Sequence, residues 1–192
     1  MASPPDPDFG RLLGALSRAL ETRELPFMVI GGQAVLVHGQ PRLTQDIDVT
    51  LGVEPDRLGS VLEICKDLDL DPLPEEVESF VTETFVLPAL HPGTRIRVDF
   101  VFSTTPYERQ AIQRAVPIRI GGSEVPFATA EDLILHKLFA GRPRDLEDVL
   151  GVIRRQTENL DWTYLDRWAR EFAAVPGREG MVEELQRLKD EA

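Results

Sequence analysis

Two acids stand at a telling spacing, Asp46 and Asp48, within residues 45–51, where polar and apolar side chains alternate. In a strand successive side chains point to opposite faces, so both carboxylates share one face while Ile47 turns to the core. Carboxylates that close repel, and a hard divalent ion, magnesium or alternatively manganese, would relieve the repulsion. A third acid, Asp99, is the only one in residues 95–102, among Val98, Phe100, Val101 and Phe102. An isolated carboxylate in such an apolar run needs a partner, and a metal site shared with Asp46 and Asp48 would provide one. Three carboxylates on neighbouring strands suit two metal ions roughly 4 Å apart, the arrangement that clamps attacking and leaving oxygens in phosphoryl transfer. Gly31 and Gly32 fit the same chemistry, because glycine lets the backbone approach a triphosphate and the following helix presents unpaired N–H groups.

The stretch GGQAVLVHGQPRLTQDID, running from Gly31-Gly32 through Arg42 and Thr44 to Asp46 and Asp48, resembles the first motif of the nucleotidyltransferase superfamily, whose fold is polymerase beta-like. In particular it resembles the branch that contains the AbiEii-type toxins of toxin-antitoxin systems. The resemblance covers most of residues 26–150 and implies catalytic and metal-ligand roles for Asp46, Asp48 and Asp99, with phosphate contacts from Gly31 and Gly32. The superfamily usually has Gly-Ser where this chain has Gly31-Gly32, which removes a hydroxyl but leaves the backbone contacts. The segment ATAEDLILHKLFAGRPRDLEDVL resembles a later motif of the same branch and implies nucleotide-binding roles for Lys137, Arg144 and Asp145, with Asp148 beside them. Helical spacing puts Lys137 on the face of Leu133, Ile134 and Leu138, where it is partly shielded. Read as acting on the NTP and not on the fold, it predicts a Lys137→Ala protein that melts almost unchanged.

The implied reaction is in-line attack of an acceptor hydroxyl on the alpha phosphate of an NTP, with pyrophosphate leaving. The implied acceptor is the end of a tRNA or a protein side chain, and the implied partner is an antitoxin protein. Two other readings compete. A glycosyltransferase also uses an Asp-x-Asp triplet, but normally places a nucleotide-binding half-domain before it, and only 45 residues precede Asp46. A non-catalytic binding module of the same fold would act through a partner, although all three acids and Lys137 are retained.

The elements that must position these residues read as α+β: a mixed sheet flanked by helices over residues 1–128, then a helical region over 129–192 that contributes to the nucleotide site. Apolar residues from Phe9 to Leu20 recur at helical spacing, and Phe27 to Ile30 form a short apolar run stopped by Gly31-Gly32. A short helix follows over residues 33–38, and residues 55–68 return to helical spacing. Residues 83–90 and 95–102 read as a hairpin around His91-Pro92-Gly93, and residues 116–120 and 124–127 as a second, smaller one. A helix over 107–115 separates the two. Thr129 with Asp132 resembles a capping box, Pro143 suits a first helical turn, and helices are expected over 162–172 and 178–188.

Composition narrows the setting. The chain has 192 residues, a formal net charge of -12, one cysteine and 42% hydrophobic residues. An acidic surface repels nucleic-acid phosphates, so any RNA contact needs a local basic patch, for which Arg42, Arg95, Arg97 and Arg142 are candidates unless they pair with acids. Cys65 lies among apolar residues and reads as a buried, inert thiol. His38, His91 and His136 lack ligand spacing and are read as structural. Trp162, Tyr164 and Trp168 form a core stripe. The first residues have no signal-peptide pattern and no stretch is long enough to span a membrane, so a cytoplasmic location with no membrane contact is expected.

Overall fold

The computed structural model describes residues 7–40, 44, 46–103, 105–120 and 122–192; Arg42 and Gln45 of the sequence reading lie outside them. The chain divides into two compact units, Met1–Gln33 with Leu43–Ala128, and Ala34–Arg42 with Thr129–Ala192. The division falls within a single helix, α2 (Gly31–His38), which follows α1 (Pro7–Thr22) and β1 (Phe27–Ile30).

In the first unit α1 buries Phe9, Leu12, Leu13, Leu16 and Leu20, the side chains that recur at helical spacing. The sheet contains β1, β2 (Asp46–Leu51), β3 (Asp71–Pro72), β4 (Val86–Leu90), β5 (Arg97–Phe102), β6 (Val116–Ile120) and β7 (Ser123–Phe127). Their spatial order is β3-β4-β5-β2-β1-β7-β6, a mixed sheet. β2 is antiparallel to β1 and parallel to β5, while β4 with β5 and β6 with β7 form the two expected antiparallel hairpins. Strand alternation then builds the core: Ile47, Val49, Val98 and Phe100 are fully buried, and the residues between them face away.

Several boundaries depart from the sequence expectation. The helix expected over 55–68 is a 3-10 turn, Pro55–Arg57, that runs into α3 (Leu58–Asp67). The first hairpin begins later than residue 83, because an unforeseen helix, α4 (Val77–Thr84), ends at Phe85 in the left-handed conformation (φ 58°) before β4 starts. α5 (Pro106–Arg114) begins beside Thr105, whose hydroxyl accepts from the Glu108 N–H at 3.3 Å. Cys65 is buried on α3, and burial pushes its thiol up to about 12, as an inert thiol requires.

The second unit is helical: α6 (Ala130–Ala140), α7 (Pro143–Gln156), α8 (Trp162–Ala173) and α9 (Met181–Glu191), the last beginning three residues after the expected start at 178. Thr129 caps α6, its hydroxyl oxygen accepting from the Asp132 N–H at 3.2 Å. Gly141 (φ 67°) closes α6 and Pro143 opens α7. The end of α2 is tied to α7 by Arg155 Nη1 donating to the Gly39 carbonyl at 2.6 Å and Gln156 Nε2 to the His38 carbonyl at 3.2 Å. Tyr164 and Trp168 of the expected core stripe are buried on α8, whereas Trp162 at its start is half-buried. Among the described residues no helix is long and apolar enough to cross a membrane.

The Asp132 carboxylate lies wholly inside this unit, accepting from the Thr129 hydroxyl at 2.8 Å and from the Tyr164 hydroxyl at 2.7 Å. A buried carboxylate deprived of a donor retains its desolvation cost, so Tyr164→Phe should destabilise the protein by about 1–3 kcal/mol. Urea unfolding would read the loss, and an unchanged midpoint would show that the Tyr164 hydroxyl contributes nothing.

Candidate functional site

The acid face is set by strand register. Parallel pairing aligns Asp48 with Asp99 and Asp46 with Arg97, so four charged side chains occupy adjacent positions on one face of two central strands. Asp46 is exposed, while Asp48 and Asp99 are partly covered. On the other side of β2, Asp48 aligns with Ile30, the last residue before the chain turns into α2. Gly31 makes this turn with φ 65°, and a Cβ there would overlap the Asp48 carboxylate. Gly32 is equally constrained, since its Cβ would lie 2.5 Å from the Thr44 Oγ1. Gln33 ties the first turn of α2 to β2, its Nε2 donating to the Asp46 carbonyl at 3.4 Å. Glycine at 31 therefore does two things: it permits a left-handed turn, and it lets a carboxylate touch the start of a helix.

Asp99 has the partner that its apolar strand demands, but the partner is Arg97. The Arg97 Nε lies 2.8 Å from Asp99 Oδ1 and 3.1 Å from Oδ2, so one N–H is shared between both oxygens. The hydrogen bond to Asp99 raises the guanidinium pKa against the opposing effect of burial, and the charges of Asp99, Asp46 and Asp48 add to it. A metal ion is thus not needed to explain an acid on β5. Among the described residues no group of three His, Cys, Asp or Glu side chains forms a ready metal cage. The donor chemistry still fits a hard divalent ion, because Asp46, Asp48 and Asp99 present only carboxylate oxygens to one face.

A second charge cluster lies in the helical unit. The Lys137 ammonium is buried 2.9 Å from Asp145 Oδ1 and 2.7 Å from Asp148 Oδ2. Arg142, which was a candidate for the basic patch, instead has its Nε 2.5 Å from Asp145 Oδ2. Burial by itself would push the Asp145 carboxyl up, but hydrogen bonds from Arg142 and Lys137, with their charges, outweigh it and hold it below its ordinary 3.8. Arg144, one residue earlier on α7, is exposed. Lys137 therefore carries a structural burden as well as any role towards a nucleotide. The expectation that its loss leaves melting unchanged does not survive this geometry, since two buried acids would lose the ammonium that both contact.

Residues 11–186 match the family described as nucleotidyltransferase of unknown function (DUF6036). The chain belongs to that family. Among solved structures, this nucleotidyltransferase is similar to ANT(2'')-Ia in complex with adenylyl-2''-tobramycin, at 17% identity and TM-score 0.53, covering 96% of this chain and 98% of that one. It is also similar to the lincosamide antibiotic adenylyltransferase LnuA bound to lincomycin, at 13% identity and TM-score 0.52, covering 74% and 94%. An antigenic nucleotidyltransferase-like protein from Paracoccidioides brasiliensis matches at 16% identity and TM-score 0.52, covering 91% and 92%. At such identities the likeness is one of fold, and it agrees with the α+β reading. No curated protein matches the chain. The finer resemblance to the AbiEii-type branch rests on the motif residues alone.

Two features of this nucleotidyltransferase escape the sequence reading. The first is the choice of Asp99 as the acid that Arg97 pairs with, since pairing with acids was foreseen for this arginine but not with which. The second is the pairing of Lys137 with Asp145 and Asp148, whose signal was an acid pair on the helix after a lysine set in an apolar stripe. Lys137→Ala should cost about 3–5 kcal/mol in denaturant unfolding, the scale of removing one partner from a buried ion pair, whereas a loss below about 1 kcal/mol would show that the cluster is solvated in practice. Because the Asp145 value is depressed on folding, its contribution is fully present above pH 3.8 and disappears as the pH falls through the lowered value. Asp145→Asn should flatten the acid limb of stability against pH measured over that window.

Proposed function

We propose that this nucleotidyltransferase moves a nucleoside monophosphate from an NTP to an acceptor hydroxyl, with the acid face of β2 and β5 as its centre. The observation that carries the reading is the register that aligns Asp48 with Asp99 beside the Gly31 turn, which brings hard oxygen donors and a helix start to one place. Asp46, Asp48 and Asp99 would hold magnesium, or manganese in its place. A divalent ion there would supply positive charge to the NTP phosphates and favour loss of the acceptor proton. By the resemblance the backbone N–H groups at Gly31 and Gly32 would cradle the phosphates, while their missing side chains admit Asp48 and Thr44. Asp99 would also help take the proton from the acceptor hydroxyl.

The resemblance assigns Lys137, Arg144 and Asp145 to the nucleotide. Lys137 and Asp145 are buried against each other, so the exposed Arg144 is the one of the three that offers its charge to a phosphate without breaking an internal pair. The resemblance also supports a tRNA end or a protein side chain as acceptor and a toxin role countered by an antitoxin. The two antibiotic-binding neighbours support an alternative acceptor of the same chemistry, a hydroxyl on a small molecule.

Incubation with each labelled NTP, magnesium and bulk cell RNA or protein would reveal the acceptor by the label it gains. With that acceptor in hand, Asp99→Asn should keep measurable NTP binding and lose transfer by at least about 100-fold, the effect of removing one preorganised contact to a transition state. Undiminished transfer by the Asp99→Asn protein would remove Asp99 from the mechanism. Label reaching no acceptor from any NTP would favour a binding module of the same fold.

A further inference from the structure

Within the acid face, one cation sits where the reading above requires a metal ion to bind. Arg97 is on the same strand as Asp99, two residues away, and its side chain is 47% exposed against 19% for Asp99. The contact is a single N–H shared by both carboxylate oxygens, not the parallel fork in which arginine holds an acid most firmly. An ion pair that is half in water is worth little, at most about 1 kcal/mol, so it exchanges readily. Asp46, aligned with Arg97, and Asp48, aligned with Asp99, add their charges around the guanidinium. Four groups on two strands thus carry three negative charges and one positive.

We propose that Arg97 is a displaceable internal counter-ion: it holds Asp99 while no divalent cation is bound and releases it when a cation arrives, so metal alone binds against Arg97 and metal with a triphosphate binds with it. The coupling follows from where the guanidinium goes. Released by a bare metal ion it loses its carboxylate for solvent, whereas a polyphosphate gives it a new anionic partner. Binding of metal and of nucleotide therefore reinforce each other, and by linkage each raises the affinity of the other by the same factor. The inference rests on the metal-holding role proposed for the three acids, and Asp48→Asn separates the two.

Calorimetry with Mn2+ alone, on the full chain, should show Arg97→Gln binding about 3- to 5-fold more tightly than wild type, the scale of a half-exposed ion pair removed from competition. A non-hydrolysable NTP analogue should strengthen Mn2+ binding in the wild type and do so less in Arg97→Gln. Equal or weaker Mn2+ binding by Arg97→Gln overturns the proposal; if Asp48→Asn then weakens binding, the metal site stands without the counter-ion. Binding by none of the three proteins removes both. Should Arg97→Gln fail to fold, the wild type supplies its own test, since the arginine N–H resonance assigned to Arg97 should shift and exchange faster with water when Mg2+ is added. A resonance that stays put through saturation with Mg2+ overturns the proposal equally.

Discussion

Parallel pairing of β2 with β5 is the constraint on which the rest depends. These strands lie next to each other in the middle of the sheet, and their register places Ile47 beside Val98 and Val49 beside Phe100 on the buried side. Side-chain alternation then leaves Asp46, Asp48, Arg97 and Asp99 together on the other. A slip by one residue would carry an acid into the core and an apolar side chain out to the acid face, so the burial that stabilises the sheet also fixes the spacing of its charges. The Gly31 turn belongs to the same arrangement, because β1 pairs with β2 and its last residue, Ile30, aligns with Asp48.

The two charge clusters solve the same electrostatic problem in different solvents. In each, carboxylates are brought near one another and a cation from the same chain is set among them. Arg97 does this at a half-exposed surface, where water screens the charges and exchange is inexpensive. Lys137 does it in an interior, where its two acids are as buried as it is and removal of any one partner disturbs charges that water cannot screen. Accessibility, more than the kind of residue, separates a face suited to changing ligands from a fixed internal joint.

Much of this was legible in the sequence because burial imposes periods on it. The alternation of residues 46–51 around Ile47 and Val49 revealed the shared face of Asp46 and Asp48, and the apolar run of β1 ending in two glycines revealed the strand-to-helix turn. α4 was not legible because Val81 is its one buried residue, so there is no apolar stripe to read. The partner of Asp99 was misread for a different reason: a lone acid on an apolar strand states the need for a positive charge but not its source, and a metal ion and Arg97 satisfy it alike. Lys137 was correctly placed in an apolar stripe, but its acids come from the following helix, and pairing between helices is settled by packing that no single period records.

The order of the strands has a consequence for how the protein meets copies of itself. An open sheet ends in two rows of unpaired backbone groups, and any other chain with a bare strand is a potential addition to either. Here one border is β3, only two residues long with Pro72 as one of them and Asp71 exposed. The opposite border is β6, where Pro117 lacks an N–H and Arg119 places charge in the row. Both borders are thus poor templates for strand addition, and the net charge of -12 adds mutual repulsion between approaching molecules. The seven strands among the described residues are kept from gaining another by the composition of their rims.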